Sequence, residues 1–340
     1  MNIIKAPLWK EKLGTAKNRR LAVRTRKHTK AFLWAVIRAV FIIGFSFIIL
    51  SPIISMLSKV FMDKLDLYDN TVLWVPRHFT LENIEFAAGT MHYGSSLLRT
   101  IVFALTTSVL QTLVTMLVGY GFARYRFRFN KLLFAVVLLT ILVPPAQLVI
   151  PIYFHFKNFD IFGIIQLITG KPGLNLLDSM VPFMALSLTG MGIRNGLFIF
   201  IFRQVFRSMP LETEEAAFVD GAGHFRTFYR IMAPNAVMTV ALVLLFSFVW
   251  QWNDTFYSGL FLHDYGLLPQ SFQLYNSYIS GRDLISQMDV MAMRFNLKDP
   301  NVLGLLRNAG VFLVMFPLLF VYAVLQRFFV DGIERTGIVG

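Results

Sequence analysis

Apolar residues in this chain run in long unbroken stretches instead of alternating with polar ones. A hydrocarbon core of about 30 Å takes about 20 apolar residues as helix. Six segments meet that length. The first runs from about Ala31 to Leu57 and is uncharged from Ala39 onward. Thr100 to Ala123 and Leu132 to Phe154 carry no charge at all. Met180 to Phe202 is interrupted by Arg194, Ala236 to Asn253 is shorter, and Leu303 to Phe329 has Arg307 near its start. The pattern predicts an all-α polytopic membrane protein with six transmembrane helices. The first segment is no cleavable signal peptide, because its basic lead is too long and its apolar run is of membrane length. The expected plan is a basic tail, 1–30; a first helix, 31–57; an outer loop, 58–99; a five-helix core, 100–329, holding a polar loop at 203–235; and a C-terminal tail, 330–340.

Composition agrees. Hydrophobic residues make up 56% of the chain and charged residues 15%, against about 45–50% and about 25% in ordinary globular proteins. Mean hydropathy is +0.61. With no cysteine, disulfides, thiolate metal sites and cysteine nucleophiles are excluded. The net charge of +13 does not describe a nucleic-acid-binding face. Ten Lys and Arg, against Glu11 alone, sit in the first 30 residues, directly before an apolar run. That is a topology signal with an affinity for anionic lipid. With both termini placed in the cytoplasm, the cytoplasmic segments hold 20 Lys and Arg and the outer ones 10. The short loop with Arg124, Arg126, Arg128 and Lys131 contributes most where the rule is strongest.

Within the spans, Val143-Pro144-Pro145 and Pro151 free carbonyls and bend the third helix; pathway lining and a plain packing kink are equally good readings. Gly192-x-x-x-Gly196 permits close helix approach, or marks an irregular helix start. Arg194 is expected to snorkel or to make an interhelical contact. Asn253-Asp254-Thr255 fits a glycosylation sequon by chance. The six histidines are scattered, without a metal-binding spacing, and His224 reads as a polar loop residue.

The polar loop 203–235 reads as helix, turn, helix. Pro210 suits a first helical turn, and Glu212, Glu214 and Glu215 suit a helix N-terminus. Ala216 and Ala217 favour helix, and Gly221 and Gly223 offer positive-φ stops. A short helix is expected over 211–223. Phe225, Phe228, Tyr229 and Met232 then form one apolar stripe at helical spacing, and Pro234 ends the second helix. An element this structured, acidic on one side and aromatic on the other, suits docking on another protein better than lying on anionic lipid.

Glu215-Ala216-Ala217-x-x-Asp220-Gly221-Ala222, followed by Ile231-x-x-Pro234, resembles the EAA loop of permease subunits in binding-protein-dependent ABC importers. The one departure is Ala233, where that family usually has Leu. Trp252-Asn253-Asp254, Leu268-Pro269 and Gln326-Arg327-Phe328-Phe329-Val330-x-Gly332, with Asn195-Gly196 and Pro144-Pro145, look like the carbohydrate-uptake branch. More narrowly, they look like its maltose-type G-like second permease subunit. The resemblance covers roughly residues 90–340.

It implies a multi-pass subunit of a bacterial plasma membrane that forms a translocation pathway with a second permease subunit. A separate ATP-binding-cassette ATPase dimer and an extracytoplasmic solute-binding protein would complete the importer. No catalytic residue, metal or cofactor of its own is expected. ATP belongs to the ATPase, since this chain has no G-x-x-x-x-G-K-[ST] loop. The ATPase-coupling residues implied are Glu214, Glu215, Ala216, Ala217, Asp220, Gly221, Ala222, Gly223, Ile231 and Pro234. Sugar sites need amides and aromatic faces, so Asn195, Gln251, Trp252 and Asn253 are the substrate-pathway candidates. For Trp250 and Trp252 an interfacial aromatic belt is the competing reading. Two other functions stay open: the same architecture with a non-sugar solute, and a secondary carrier or membrane enzyme. The spans hold no acid pair for the latter.

Overall fold

The computed structural model describes residues 8–69, 71–72, 74–170, 173–262, 266–281 and 295–337, with no side chains described at 8–29, 145–146, 169, 325 and 327–337. His263, much of the 254–302 connection and both chain ends therefore lie outside the described residues. Described residues are helical or irregular, with only two isolated β-bridges. The chain divides into two compact units, residues 1–79 and 80–340.

The first unit is one helix and a hairpin-like clasp. Helix α1 runs from Leu8 to Val60, straight through the expected boundary at residue 30. No Gly or Pro occurs between Gly14 and Gly44 to stop it. Its apolar stretch is exposed at Phe32, Ile43 and Ile48, as a lipid-facing or partner-facing helix requires. After it, the bridge between Met62 and Phe79 and the stacked rings of Phe61 and Phe79 close residues 61–79 on themselves. Buried Asp66 accepts the His78 backbone N–H at 2.8 Å and faces His78 Nδ1 at 2.7 Å. That backbone N–H holds the Asp66 carboxyl below the usual carboxylate range.

The second unit is a helical bundle. Its elements are α2 (Glu82–Thr90), α3 (Tyr93–Arg124), α4 (Asn130–Leu142), α5 (Pro145–Lys157), α6 (Ile164–Thr169), α7 (Val181–Leu188), α8 (Asn195–Ser208), α9 (Glu212–Val219), α10 (His224–Thr227), a π-turn (Phe228–Met232), α11 (Ala233–Asn235), α12 (Val237–Trp252), α13 (Phe256–Phe261), α14 (Leu268–Ile279) and α15 (Pro300–Gly337). The central helix is α3. Its inner face is a stripe of hydroxyls; Thr100, Thr107, Thr112 and Thr115 each bond the carbonyl four residues back. Each polar group is thus satisfied within its own helix, which lets neighbours approach. A Cβ on Gly119 of α3 would lie 2.6 Å from the Phe202 Cβ of α8, and one on Gly196 of α8 would lie 2.8 Å from the Val137 carbonyl of α4. Phe198, Phe202, Phe206, Tyr120 and Met232 form the core beside them.

Among the described residues, three helices are long and apolar enough to cross a membrane: Lys30–Val60, Tyr93–Arg124 and Pro300–Val324. Two bent pairs raise this to five if each is one span. The third segment is more than kinked: Asn130–Leu142 and Gln147–Lys157 meet at 103°, at Val143-Pro144-Pro145. The fourth is not continuous either. It is α7 and α8 separated by residues 189–194, where Gly190 has φ 72° and Arg194 φ 61°. Glycine and an αL residue terminate helices. Gly192 falls in this irregular start while Gly196 makes the close approach, so both readings of the pair hold. The fifth segment, α12, follows the 224–235 return helix at 79°. The Gln326–Gly332 motif lies on α15.

Candidate functional site

Two groups of predicted residues converge in the second unit. The first is the α9 loop. The helix is Glu212–Val219, shorter at both ends than expected; Met209 is extended ahead of it and Gly221 turns the chain after it. Gly221 has φ 79°. Its N–H bonds the Phe218 carbonyl at 3.0 Å, and the Ala222 N–H bonds the Ala217 carbonyl at 2.9 Å. This paired closure is a Schellman motif. Gly223 does not share the role. Its φ of −72° and ψ of 163° are extended, and it starts the return helix.

Neighbouring carboxylates face opposite ways. Glu214 and Ala217 are buried; Glu215, Ala216 and Asp220 are exposed. Glu214 Oε1 lies 3.3 Å from Arg124 Nε, both side chains more than 90% buried. Arg124 Nη2 also donates to the Met209 carbonyl at 2.9 Å. Glu214 thus pins the loop to the end of α3, and the outward face is left to Glu215, Ala216, Phe218 and Val219, the last 86% exposed. Glu214 and Ala217, three residues apart, thus mark the inward face of this helix.

The aromatic stripe after the turn also divides. Phe228 and Met232 enter the core, whereas Phe225 and Tyr229 pair with each other in the open, ring centroids 5.7 Å apart. The π-turn at 228–232 widens the helix locally and breaks the single face that a regular 3.6 period would give. Ile231, half-buried, joins Ala217, Asp220 and Ala222 in a cleft of about 220 Å³. Pro234 sits at the bend into α12. His224 packs edge-on against Phe218 and Tyr125.

The second group is a buried amide cluster between α3, α8 and α12. Gln111 is its hub. Its Nε2 donates to Asn195 Oδ1 and to the Ile193 carbonyl, and its Oε1 accepts from Ser247 Oγ and from Gln251 Nε2. Gln111, Asn195, Ser247 and Gln251 are all at most 3% exposed. Asn195 and Gln251 therefore come together through Gln111. The other two candidates go elsewhere. Trp252 is buried and donates Nε1–H to the Val314 carbonyl of α15 at 3.3 Å, which also excludes it from an interfacial belt. Asn253 is exposed and donates to the Val249 carbonyl at 3.0 Å, capping α12. Trp250 stacks on Phe246 and receives Arg194, whose guanidinium carbon lies 5.6 Å from its ring centroid. Arg194 thus makes the interhelical contact. Beyond the cluster, burial pushes the Asp254 carboxyl up, against the pull of the Ser258 and Tyr257 N–H groups that it caps. Sequence reading missed Gln111; its signal was a lone amide mid-way along an uncharged span.

A helical bundle with membrane-length helices, a polar cluster between them and a rigid exposed loop defines a membrane transport subunit. The chain belongs to the family of binding-protein-dependent transport system inner membrane components, whose pattern matches residues 111–335. It is 28% identical over 221 residues to the diacetylchitobiose uptake system permease protein of Streptomyces coelicolor, covering 65% of this chain and 67% of that one. It is 27% identical over 244 residues to the sn-glycerol-3-phosphate transport system permease protein of Pectobacterium atrosepticum, covering 72% and 74%. A crystal structure of a bacterial ABC transporter involved in the import of the acidic polysaccharide alginate contains a chain of the same fold. The TM-score is 0.67 at 19% identity, over 87% of this chain and 96% of that one.

Proposed function

We propose that this chain is one of two permease subunits forming the translocation pathway of an ATP-driven, binding-protein-dependent sugar importer. A separate ATPase docks on the α9 loop and hydrolyses the ATP, and an extracytoplasmic solute-binding protein delivers the cargo. The distribution of Lys and Arg supports cytoplasmic termini, with the 124–131 and 203–235 connections on the same side. A relative named for sn-glycerol-3-phosphate transport supports a second reading, the same machine carrying a non-sugar solute.

The observation that carries the proposal is the two-sided α9 loop. It is anchored inward by Glu214, Ala217 and Phe228, and it presents Glu215, Phe218, Val219 and Phe225 outward. Exposed apolar groups on a rigid, capped element are surface for a protein partner. Glu215→Lys reverses the outward charge. Gly221→Val places a β-branched residue at φ 79°, a strain of about 1–3 kcal/mol. Both variants are expected to reach the membrane but to lose uptake, with the ATPase lost on purification or no longer stimulated by loaded binding protein. Full uptake with normal stimulation in both would overturn the docking role.

A further inference from the structure

We infer that the end of the α4–α8 seam nearest the 124–131 connection binds the headgroup of an anionic phospholipid. Arg203 is the stacked contact, and Arg207 and Lys131 are the open ones. The inference goes beyond the importer reading and needs only that the chain sits in a membrane.

The seam is built at helical spacing. Gly196, Phe200, Arg203 and Arg207 stand at i, i+4, i+7 and i+11 of α8, which puts them on one face. Lys131, Phe134 and Val137, three apart on α4, form the answering face. Contacts pair the two faces in order. Gly196 meets the Val137 carbonyl. The Phe200 ring stacks on Phe134, centroids 6.4 Å apart. The Arg203 guanidinium carbon lies 3.9 Å from the centroid of that same Phe134 ring. One turn further along each face come Arg207 and Lys131, both exposed.

These cations have no counter-charge. Residues 124–142 and 195–208 contain no Asp or Glu, and among the described residues no carboxylate pairs with Lys131, Arg203 or Arg207. Arg203 Nε is shut in without a partner; the open part of this half-buried guanidinium is what a ligand can reach. Arg203 and Arg207, one turn apart, repel each other. A topology signal requires exposed cations, but it does not require one laid on a ring beside a second. A phosphate group relieves the repulsion and takes charge-assisted hydrogen bonds from all three side chains.

The rest of the seam favours a lipid over a free anion. Leu132, Val136 and Leu139 are exposed on α4, so apolar surface leads away from the cationic end. A headgroup held by the cations lays its acyl chains along that surface, whereas free phosphate makes no use of it. Basic pockets between membrane helices on the cytoplasmic side suit anionic headgroups, and the Lys and Arg distribution supports that side for this end.

The test uses the chain purified from membranes with its partner subunits. Native mass spectrometry counts bound lipid at equal concentrations of phosphatidylglycerol and phosphatidylcholine, and phosphatidylglycerol should be retained preferentially. Lys131→Gln combined with Arg207→Gln should raise its half-occupancy concentration about tenfold, equivalent to about 1.4 kcal/mol. Arg126→Gln combined with Arg128→Gln removes the same net charge away from the seam and should leave occupancy unchanged. All four positions are exposed, so both double variants should accumulate in the membrane like the parent. Excess inorganic phosphate should not displace the lipid. A phosphatidylglycerol carrying a diazirine on its acyl chain should crosslink to α4 between Leu132 and Leu139. Equal retention of phosphatidylcholine, equal weakening by the two double variants, displacement by inorganic phosphate, or adducts confined to the first 30 residues would overturn the assignment. So would a photo-crosslinking residue at Val136 that joins a neighbouring protein and no lipid. The same spectra report whether an ATPase is retained; its absence would count against the importer reading and leave the lipid site standing.

Discussion

Removing the Glu214 charge should damage this protein more than removing its neighbour's. At 3.3 Å and an effective dielectric of about 20, two unit charges attract by about 5 kcal/mol. Both groups are almost fully buried, so Glu214→Gln leaves the Arg124 guanidinium desolvated and unpaired. Breaking a buried pair from one side costs about 3–5 kcal/mol, a large part of a typical stability of about 5–15 kcal/mol. Glu215→Gln, on the exposed side, should stay within about 0.5 kcal/mol. The assay is thermal unfolding of the detergent-purified subunit together with its level in the membrane. Glu214→Gln should unfold at clearly lower temperature and Glu215→Gln should match the parent. Combining Arg124→Met with Glu214→Met should recover much of the loss, because an apolar pair carries no unmet charge. Equal stability of the two Gln variants would refute the reasoning, as would a double variant no better than Glu214→Gln.

Two further outcomes follow from local geometry. Gly196→Val should prevent α8 from seating on α4, since even a Cβ would lie 2.8 Å from the Val137 carbonyl; membrane accumulation should fall, by a cost of about 1–3 kcal/mol or more, and normal accumulation would contradict the close contact. The Asp66 clasp should persist in mild acid, because a depressed carboxyl contributes stability that is complete above its unfolded value of 3.8 and is lost only as pH falls through the lower folded value. Hydrogen-exchange protection of the His78 amide should therefore survive at mildly acidic pH, and its loss above 3.8 would contradict the sign of the shift.

What could be read in the sequence was what short-range physics decides. The EAA-like run placed a helix and a glycine stop within 211–223, close to the observed Glu212–Val219 and Gly221, because capping and φ preferences act over a few residues. Which of two adjacent glutamates turns inward was not legible, since Arg124, far off in sequence, decides it. Hydropathy found the apolar segments but not their breaks. Val143-Pro144-Pro145 could as well have kinked a helix as ended one, and the gap at 189–194 depends on Arg194 adopting φ 61° and reaching Trp250. Gln111 escaped notice because one amide hardly changes the hydropathy of a long apolar run. Its partners Asn195 and Gln251 were found individually as amides too costly for lipid. Trp252 was drawn to the pathway by its residue type, whereas the Val314 carbonyl sets its actual direction. The stripe 225–232 failed as a single face because its period is not that of a regular α-helix.

The most direct test of the account is a photo-crosslinking amino acid placed at Val219, 86% exposed on α9, and in a parallel protein at Ala217, which is buried. In membranes holding the complete importer, illumination at position 219 should yield a covalent adduct with the ATPase, and position 217 should not. An adduct with lipid or with the solute-binding protein at position 219, and none with the ATPase, would contradict the assignment of this loop as the coupling element.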